Sequence, residues 1–460
     1  MTGKINQSNL NQLRNVFTGK ILLPEDPSYK DSRTIFNAMI DNRPGMIARC
    51  VEEKDVIHAV NFSRDLDLEI SVRGGGHSVS GWGLTEGGLM IDLSLMNMVE
   101  VNPDNLTARV GGGATWIDFA RACQPYNLTT TGGTVPSVGV AGVTLGGGWG
   151  YLARKFGLVC DNLLSVKLVT ADGNIINVSN EEHPDLFWAL HGGGGNFGVA
   201  TEFTFRLHSL PVTTMAYLIF HPAAGPDIVS LFRDVITEGP DEISGELFYM
   251  TGPPDDFIPS SLVNQLSLGV LMVYAGPETE AIKIMKPLLE ADPAGQMIAE
   301  TPYSDILEVG AIEPQIRHFS SSEHLKTLPD KAVEKICALA NEMPVPSRCF
   351  QILSSWGGPV IRQSGNGPIA DRDANWLFYP MAMWTDPAED ERIISWAKTL
   401  GSDMAPFTTG NPYLNLIAEE GNERMIAGYG GEEKYRQLVR IKNQYDPDNV
   451  FHLNHNIKPL

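Results

Sequence analysis

The chain predicts an α+β protein of more than one packed unit, and three observations carry that reading. Val56, Ile57, Ala59, Val60 and Ser63 fall at helical spacing within residues 55–64, and Leu68, Ile70 and Val72 then alternate as a strand running into Arg73-Gly74-Gly75-Gly76-His77. Glycine clusters crowd the first part of the chain and stop by about Pro211, beyond which longer strands are interleaved with amphipathic helices. At 460 residues the chain is longer than a single ordinary core supports.

The elements follow in order. Residues 89–93, 108–110, 165–169 and 174–178 read as short strands, with Asp172-Gly173 as a hairpin turn between the last two. Residues 184–190 read as a helix entering Gly193-Gly194-Gly195-Asn196-Phe197-Gly198, and Val199, Thr201, Phe203, Phe205 and Leu207 alternate as a strand leaving it. That run satisfies G-x-G-x-x-G, but a dinucleotide fingerprint needs the strand before the glycines and the helix after, so a nicotinamide site is not expected there. In the second half, helices are expected over 228–235, 278–289, 330–341 and 390–400, and strands over 265–274, 349–356 and 376–384. A last helix over 432–444 ends at Asp446-Pro447. These patterns divide the chain into residues 35–210, 211–425 and 426–460.

Composition narrows the function. A formal charge of −21 disfavours nucleic acid and anionic membrane as partners, because both present dense negative charge. No run approaches the ~20 apolar residues of a membrane span. Met1 to Asn15 are polar and lack an apolar signal core, so a cytoplasmic location is expected. The five cysteines, at 50, 123, 160, 337 and 349, are scattered and odd in number, which is no disulfide scaffold. Walker, HExxH and CxxC motifs are missing, so phosphoryl transfer, zinc proteolysis and dithiol exchange lack support and no metal is expected.

The informative marks are Gly74-Gly75-Gly76 and, some eighty residues later, Gly157-Leu158-Val159-Cys160-Asp161-Asn162. Successive glycines leave backbone N–H groups uncovered and permit positive φ, the geometry of a nest for phosphate oxygens. Such a loop suits a pyrophosphate. The imidazole of His77 at its edge and the thiol of Cys160 could then both reach one electrophilic ring held there.

The segment from Ser71 to Gly81 resembles the pyrophosphate loop of the FAD-linked oxidases of the vanillyl-alcohol-oxidase superfamily, and most closely the berberine-bridge-enzyme-like branch. Residues 132–142, Leu145-Gly146-Gly147-Gly148-Trp149-Gly150, residues 191–198, and Tyr445-Asp446-Pro447 through Asn454-His455-Asn456-Ile457 extend the resemblance nearly end to end. It implies a two-subdomain FAD-binding domain of the vanillyl-alcohol-oxidase (PCMH) type over 35–210. It also implies an α+β substrate-binding domain on one large antiparallel sheet over 211–425, and a C-terminal segment, 426–460, that returns to the FAD domain. FAD would be held bicovalently, through His77 to the flavin 8α-methyl and Cys160 to C6. The cofactor contacts implied are Gly74, Gly75, Gly76, Ser78, Gly81, Gly133, Val135, Gly139, Gly142, Gly146, Gly147, Gly148, Val199, Asn454 and Asn456. Arg73 would offset pyrophosphate or flavin charge.

A flavin accepts hydride at N5, so substrate must lie against one ring face while a base takes the partner proton. The resemblance implies oxidation of a hydroxylated small molecule, a secondary alcohol of a sugar, glycoside or polyketide, with molecular oxygen as acceptor giving hydrogen peroxide. Oxidative cyclisation of a phenolic or alkaloid-like substrate is the second reading, and a flavin- or ligand-binding protein without turnover the third. The base is where the chain departs from its relatives. Many carry Tyr-x-Asn-Tyr, whose second tyrosine deprotonates substrate, but here the segment is Tyr413-Leu414-Asn415-Leu416, and Leu416 cannot do that. Alternation along 376–385 puts Tyr379, Met381, Met383 and Thr385 on one face. Thr385 falls where some plant members place a catalytic glutamate. Tyr379 is the first candidate base and Tyr413 the second; His318, Glu323 and Ser354 are further polar candidates, and Leu163 should lie near the flavin edge that oxygen approaches.

Overall fold

The computed structural model describes residues 5–363 and 365–460. The first predicted helix spans Glu53–Asp65 and buries Val56, Ala59, Val60 and Ser63, the stripe its spacing anticipates. It covers a four-stranded sheet of β1 (Lys20–Leu22), β2 (Met46–Arg49), β3 (Ile70–Arg73) and β4 (Leu89–Asp92), in the order β1-β2-β4-β3. β2, β4 and β3 run parallel. Met46, Ala48, Leu89 and Ile91 face the helix, and Ile47 and Met90 face Leu22, Tyr29 and Leu84. Burial on both faces is why Met46-Ile47-Ala48 and Leu89-Met90-Ile91 are unbroken apolar runs.

A second, antiparallel sheet follows. β5 (Val99–Asn102), β6 (Thr107–Gly111), β8 (Leu163–Val169), β9 (Ile175–Ser179) and β10 (Val199–Arg206) lie in the order β5-β6-β10-β8-β9, while β7 (Leu128–Thr129) pairs with β11 (His208–Ser209). The expected hairpin joins β8 to β9, with Gly173 at φ +78°. The helix Pro184–Ala189 precedes the Gly193–Gly198 run and β10 follows it, the reverse of a dinucleotide fingerprint.

The second half is built on eight antiparallel strands: β12 (Thr214–Phe220), β13 (Ile243–Thr251), β14 (Leu266–Tyr274), β15 (Gly295–Glu300), β16 (Arg317–Ser320), β17 (Glu323–Leu325), β18 (Phe350–Ser355) and β19 (Trp376–Trp384). Their order is β15-β12-β14-β13-β18-β19-β16, with β17 also paired to β19. Helices Gly225–Glu238, Glu278–Leu289, Asp330–Ala340 and Asp390–Met404 cover one face, packing on Phe220, Leu247, Tyr249, Val270, Trp376 and Phe378. The opposite face carries Tyr217, Phe248, Met250, Ile352, Leu377 and Tyr379, and shares a core with Trp149, Tyr151, Val159 and Cys160 from the first half. Two cross-links fix this face in place: Trp149 Nε1 donates to the Ser355 carbonyl at 2.9 Å, and Ser244 Oγ to the Tyr151 carbonyl at 2.6 Å.

The last helix, Glu432–Tyr445, ends in a buried Lys442–Asp446 pair 2.6 Å apart. Lys442 also donates to the carbonyls of Asn196 and Phe451, and Asn196 Oδ1 accepts from the Ile457 amide at 2.9 Å. The tail is thereby held against the glycine run of the first half. Among the described residues, no helix is long and apolar enough to cross a membrane.

Candidate active site

At the end of β3 the chain turns through three glycines, and Gly75 lies directly on Gly139. A Cβ on Gly75 would sit 2.2 Å from the Gly139 amide nitrogen, and one on Gly139 would sit 2.3 Å from that of Gly75. Only bare backbone allows this approach, and it brings the His77 loop and the 133–148 segment together. Among the described residues, nothing lies within 4 Å of where a Gly142 side chain would start. That open side adjoins a largely apolar cleft of about 180 Å³ lined by Val72, Gly74, Ser78, Gly142, Val199 and Asn454 among others. Gly133 instead rests against the Trp116 ring, the Val135 carbonyl closes a turn with the Val138 amide, and Gly81 holds φ +73° against Ile40. Asn454 Oδ1 and Asn456 Oδ1 are buried without partners among the described residues. Buried acceptors of this kind call for a donor, and together with the uncovered glycines they fit a long ligand with a phosphate part and a hydrogen-bonding ring, as FAD is.

Arg73 is placed differently from the expectation. Its guanidinium donates to both carboxylate oxygens of Asp92 and to the carbonyls of Ser32 and Thr34, so its charge is answered within the protein. Its side chain runs beneath Gly76 and Gly83 and supports the loop.

His77 stacks on Phe36, ring centroids 4.5 Å apart, and its Nε2 lies 3.0 Å from Ser137 Oγ. Burial lowers its pKa to about 4, leaving a neutral imidazole near neutrality. His318, in an edge contact with Phe36, is likewise lowered to about 4 by burial, with the nearby His77 adding to the effect, and neither of its ring nitrogens has a partner among the described residues. Cys160 opens a 3-10 turn, and its amide donates to the Gly147 carbonyl at 2.9 Å while the Val159 amide donates to Gly148 at 2.8 Å. Burial pushes the Cys160 thiol well up, Asp161 pushes the same way, and Arg372 pulls it back. Asp161 and Arg372 form a fully buried ion pair beside it.

Tyr413, the second candidate base, proves to be a clamp. Its oxygen accepts from the Gly148 amide at 2.8 Å and from Asn415 Nδ2 at 2.9 Å, and burial raises its pKa, so it secures the loop that carries the Cys160 contact. A Cβ on Gly146 would lie 1.9 Å from Asn415 Oδ1, which explains that glycine. Thr385 is exposed just past the end of β19 and does not join the face anticipated for it. Glu323 pairs with Arg424 at 2.8 Å.

Tyr379 does face the first half. Its hydroxyl donates to Glu246 Oε1 at 2.8 Å; Ser354 Oγ donates to the same oxygen at 2.7 Å and Tyr151 to Oε2 at 2.9 Å. Glu246 and Tyr151 were not singled out by sequence reasoning. The signal was available: Glu246 is the lone acid in the apolar run of β13, in phase with Ser244, Phe248 and Met250.

A family model described as an FAD binding domain matches residues 44–179, and one described as berberine and berberine like matches residues 413–458. YgaK of Bacillus subtilis, named an uncharacterized FAD-linked oxidoreductase, is 33% identical over 96% of this chain and 97% of its own. The (R)-6-hydroxynicotine oxidase of Paenarthrobacter nicotinovorans is 30% identical over 96% of this chain and 97% of its own. The crystal structure of 6-hydroxy-D-nicotine oxidase from Arthrobacter nicotinovorans matches with a TM-score of 0.86 at 28% identity, covering 96% of this chain and 98% of that one.

Proposed function

On the premise that the chain belongs to the berberine-bridge-enzyme-like FAD-linked oxidoreductases, as these relatives establish, we propose that it holds FAD covalently through His77 and Cys160. We propose further that it oxidises a hydroxylated small molecule, a secondary alcohol of a sugar, glycoside or polyketide, and passes the electrons to molecular oxygen to give hydrogen peroxide. The observation that supports this reading is the pair of backbone contacts, Gly75 on Gly139 and the Cys160 amide on the Gly147 carbonyl, which ties the segment of each nucleophile to the same glycine-rich stretch. Bound FAD supplies the two-electron acceptor.

The chain's own residues do the rest. Gly74, Ser78, Gly142, Val199 and Asn454 line the groove for the cofactor. The neutral His77 and the thiol of Cys160 are anchors once attached. In this reading the sheet face bearing Phe248, Met250, Ile352 and Tyr379, which packs against the first half, is the wall that offers the Tyr379 hydroxyl to substrate. Its aromatic cluster, with Tyr217 and Phe257 centroids 5.3 Å apart and Phe248 and Phe350 5.9 Å apart, favours a phenolic or alkaloid-like substrate as the second reading.

Acid-precipitated protein is expected to stay yellow, Cys160→Ala to remain singly linked, and loss of both His77 and Cys160 to free the flavin, all read by mass spectrometry. Anaerobic addition of sugars, phenols and polyketide alcohols is expected to bleach the protein, with peroxide released when air returns. Bleaching by none of them would leave a flavin-binding protein without turnover.

A further inference from the structure

Glu246 is a carboxylate with no electrostatic partner. It projects from the middle of β13 toward the first half, it is buried, and among the described residues no lysine, arginine or histidine pairs with it. Three neutral hydroxyls meet it instead, from three separate places in the chain. Ser354 is its register partner on β18, Tyr379 reaches across from β19, and Tyr151 comes up from the segment that follows Gly146-Gly147-Gly148. A buried acid without a cation is costly to keep, and an apolar residue of similar size would seat against Phe248 and Ile352 more cheaply. The same strand face has no other acid: its neighbours in phase are Ser244, Phe248 and Met250.

Building on the proposed oxidation, we infer that Glu246 is the proton acceptor of the site, reached through the hydroxyl of Tyr379. Tyr379 is the group that meets substrate, and Glu246 acts behind it. As an alcohol is oxidised, its C–H hydrogen leaves with two electrons to the oxidised FAD, and its O–H bond breaks. That proton goes to the Tyr379 oxygen as Tyr379's own proton crosses to Glu246, so alcohol becomes carbonyl and carboxylate becomes carboxylic acid. This assignment fills the role that Leu416 cannot. Burial drives the Tyr379 phenol well above its ordinary range, so it relays a proton more readily than it stores negative charge, and burial also raises Glu246, which suits it to receive one. The titratable groups that face the carboxylate are Tyr151 and Tyr379, with Tyr303 beyond Tyr151.

The test begins without substrate. In FAD-loaded wild-type protein, infrared pH titration is expected to show a carboxylic-acid carbonyl band titrating above the ordinary glutamate range of about 4.3. The band is absent in Glu246→Gln and moves to higher pH in Tyr379→Phe and in Tyr151→Phe, because each loses a donor to the ionised form. A purely structural carboxylate gives the same shifts, so the separating readout is the pH profile of bleaching, which follows the band if Glu246 takes the proton and is indifferent to it if the carboxylate is structural. In anaerobic mixing with xylobiose and with 6-hydroxynicotine, whichever bleaches the wild type is expected to bleach Glu246→Gln at least ~100-fold more slowly with the flavin still bound, and Glu246→Asp is expected to recover part of the rate. No such band in the wild type, a band unmoved by Tyr379→Phe, or wild-type bleaching by Glu246→Gln overturns the inference. Should Glu246→Gln fail to hold flavin, the pH profile of bleaching in Tyr151→Phe decides it: a profile that moves with the band supports the inference and an unmoved one overturns it. If neither probe bleaches the wild type yet the band behaves as described, the proton site stands and the hydroxylated-substrate reading is what fails.

Discussion

The two faces of the eight-stranded sheet are made by the same strands, yet they differ in chemistry. The face under the helices is filled by Phe220, Leu247, Val270, Trp376 and Phe378. The face toward the first half mixes Phe248, Ile352 and Leu377 with Glu246, Ser354 and Tyr379, and binds back to Trp149 and Tyr151 by hydrogen bonds. Alternation assigns residues to faces; what each face meets decides whether apolar filling suffices. The helix face packs against apolar helix stripes, whereas the opposite face packs against the stretch of the first half that carries Trp149, Tyr151 and Cys160.

The contrast breaks most sharply at the groove. Gly139→Ala places a Cβ 2.3 Å from the Gly75 amide, so the loops must part, and the purified variant is expected to carry no FAD, read from visible absorbance, while keeping its far-ultraviolet circular dichroism. On the helix face the converse holds. Trp376→Ala removes a fully buried indole packed 5.7 Å from the Phe232 ring, and is expected to cost ~3–5 kcal/mol in urea unfolding with the flavin spectrum of the folded fraction unchanged.

Acid sharpens the comparison. Burial holds His77, His208, His318 and His455 near a pKa of about 4, against 6.5 ordinarily. As pH falls the unfolded chain binds their protons first. The stability tied to their neutral forms is therefore complete above pH 6.5 and is lost between 6.5 and about 4, and the urea midpoint of FAD-free protein is expected to drop through that window. His318→Gln is expected to flatten the drop. The smallest effect is Tyr151→Phe, which removes one hydrogen bond to Glu246 and is expected to lower stability by ~1 kcal/mol in the same assay.

Much of the frame was legible because periodicity and turn chemistry are local. The helix after residue 53, the β8–β9 hairpin at Gly173 and the helix Glu278–Leu289 all appear where spacing put them. β12 and β13 were not among the expected strands; both are buried almost throughout. At the site, the glycine loop and the two nucleophiles stood out as motifs, and Tyr379 emerged from its phase along β19. Arg73 was misjudged since its partner, Asp92, lies on a neighbouring strand. Tyr413 was misjudged because the amide it holds is 265 residues away in the chain.

By itself the sequence determined the family and the α+β class, and it singled out the glycine loop, His77 and Cys160 for the proposed cofactor site, for each is written in short stretches whose chemistry does not depend on distant residues. Tertiary structure alone decided that Gly75 rests on Gly139, that Tyr413 clamps a loop, and that Glu246 gathers hydroxyls from Tyr151, Ser354 and Tyr379. A hydrogen bond between residues a hundred positions apart exists only once sheet register and the packing of one half on the other have set the distance, and no local pattern encodes that distance.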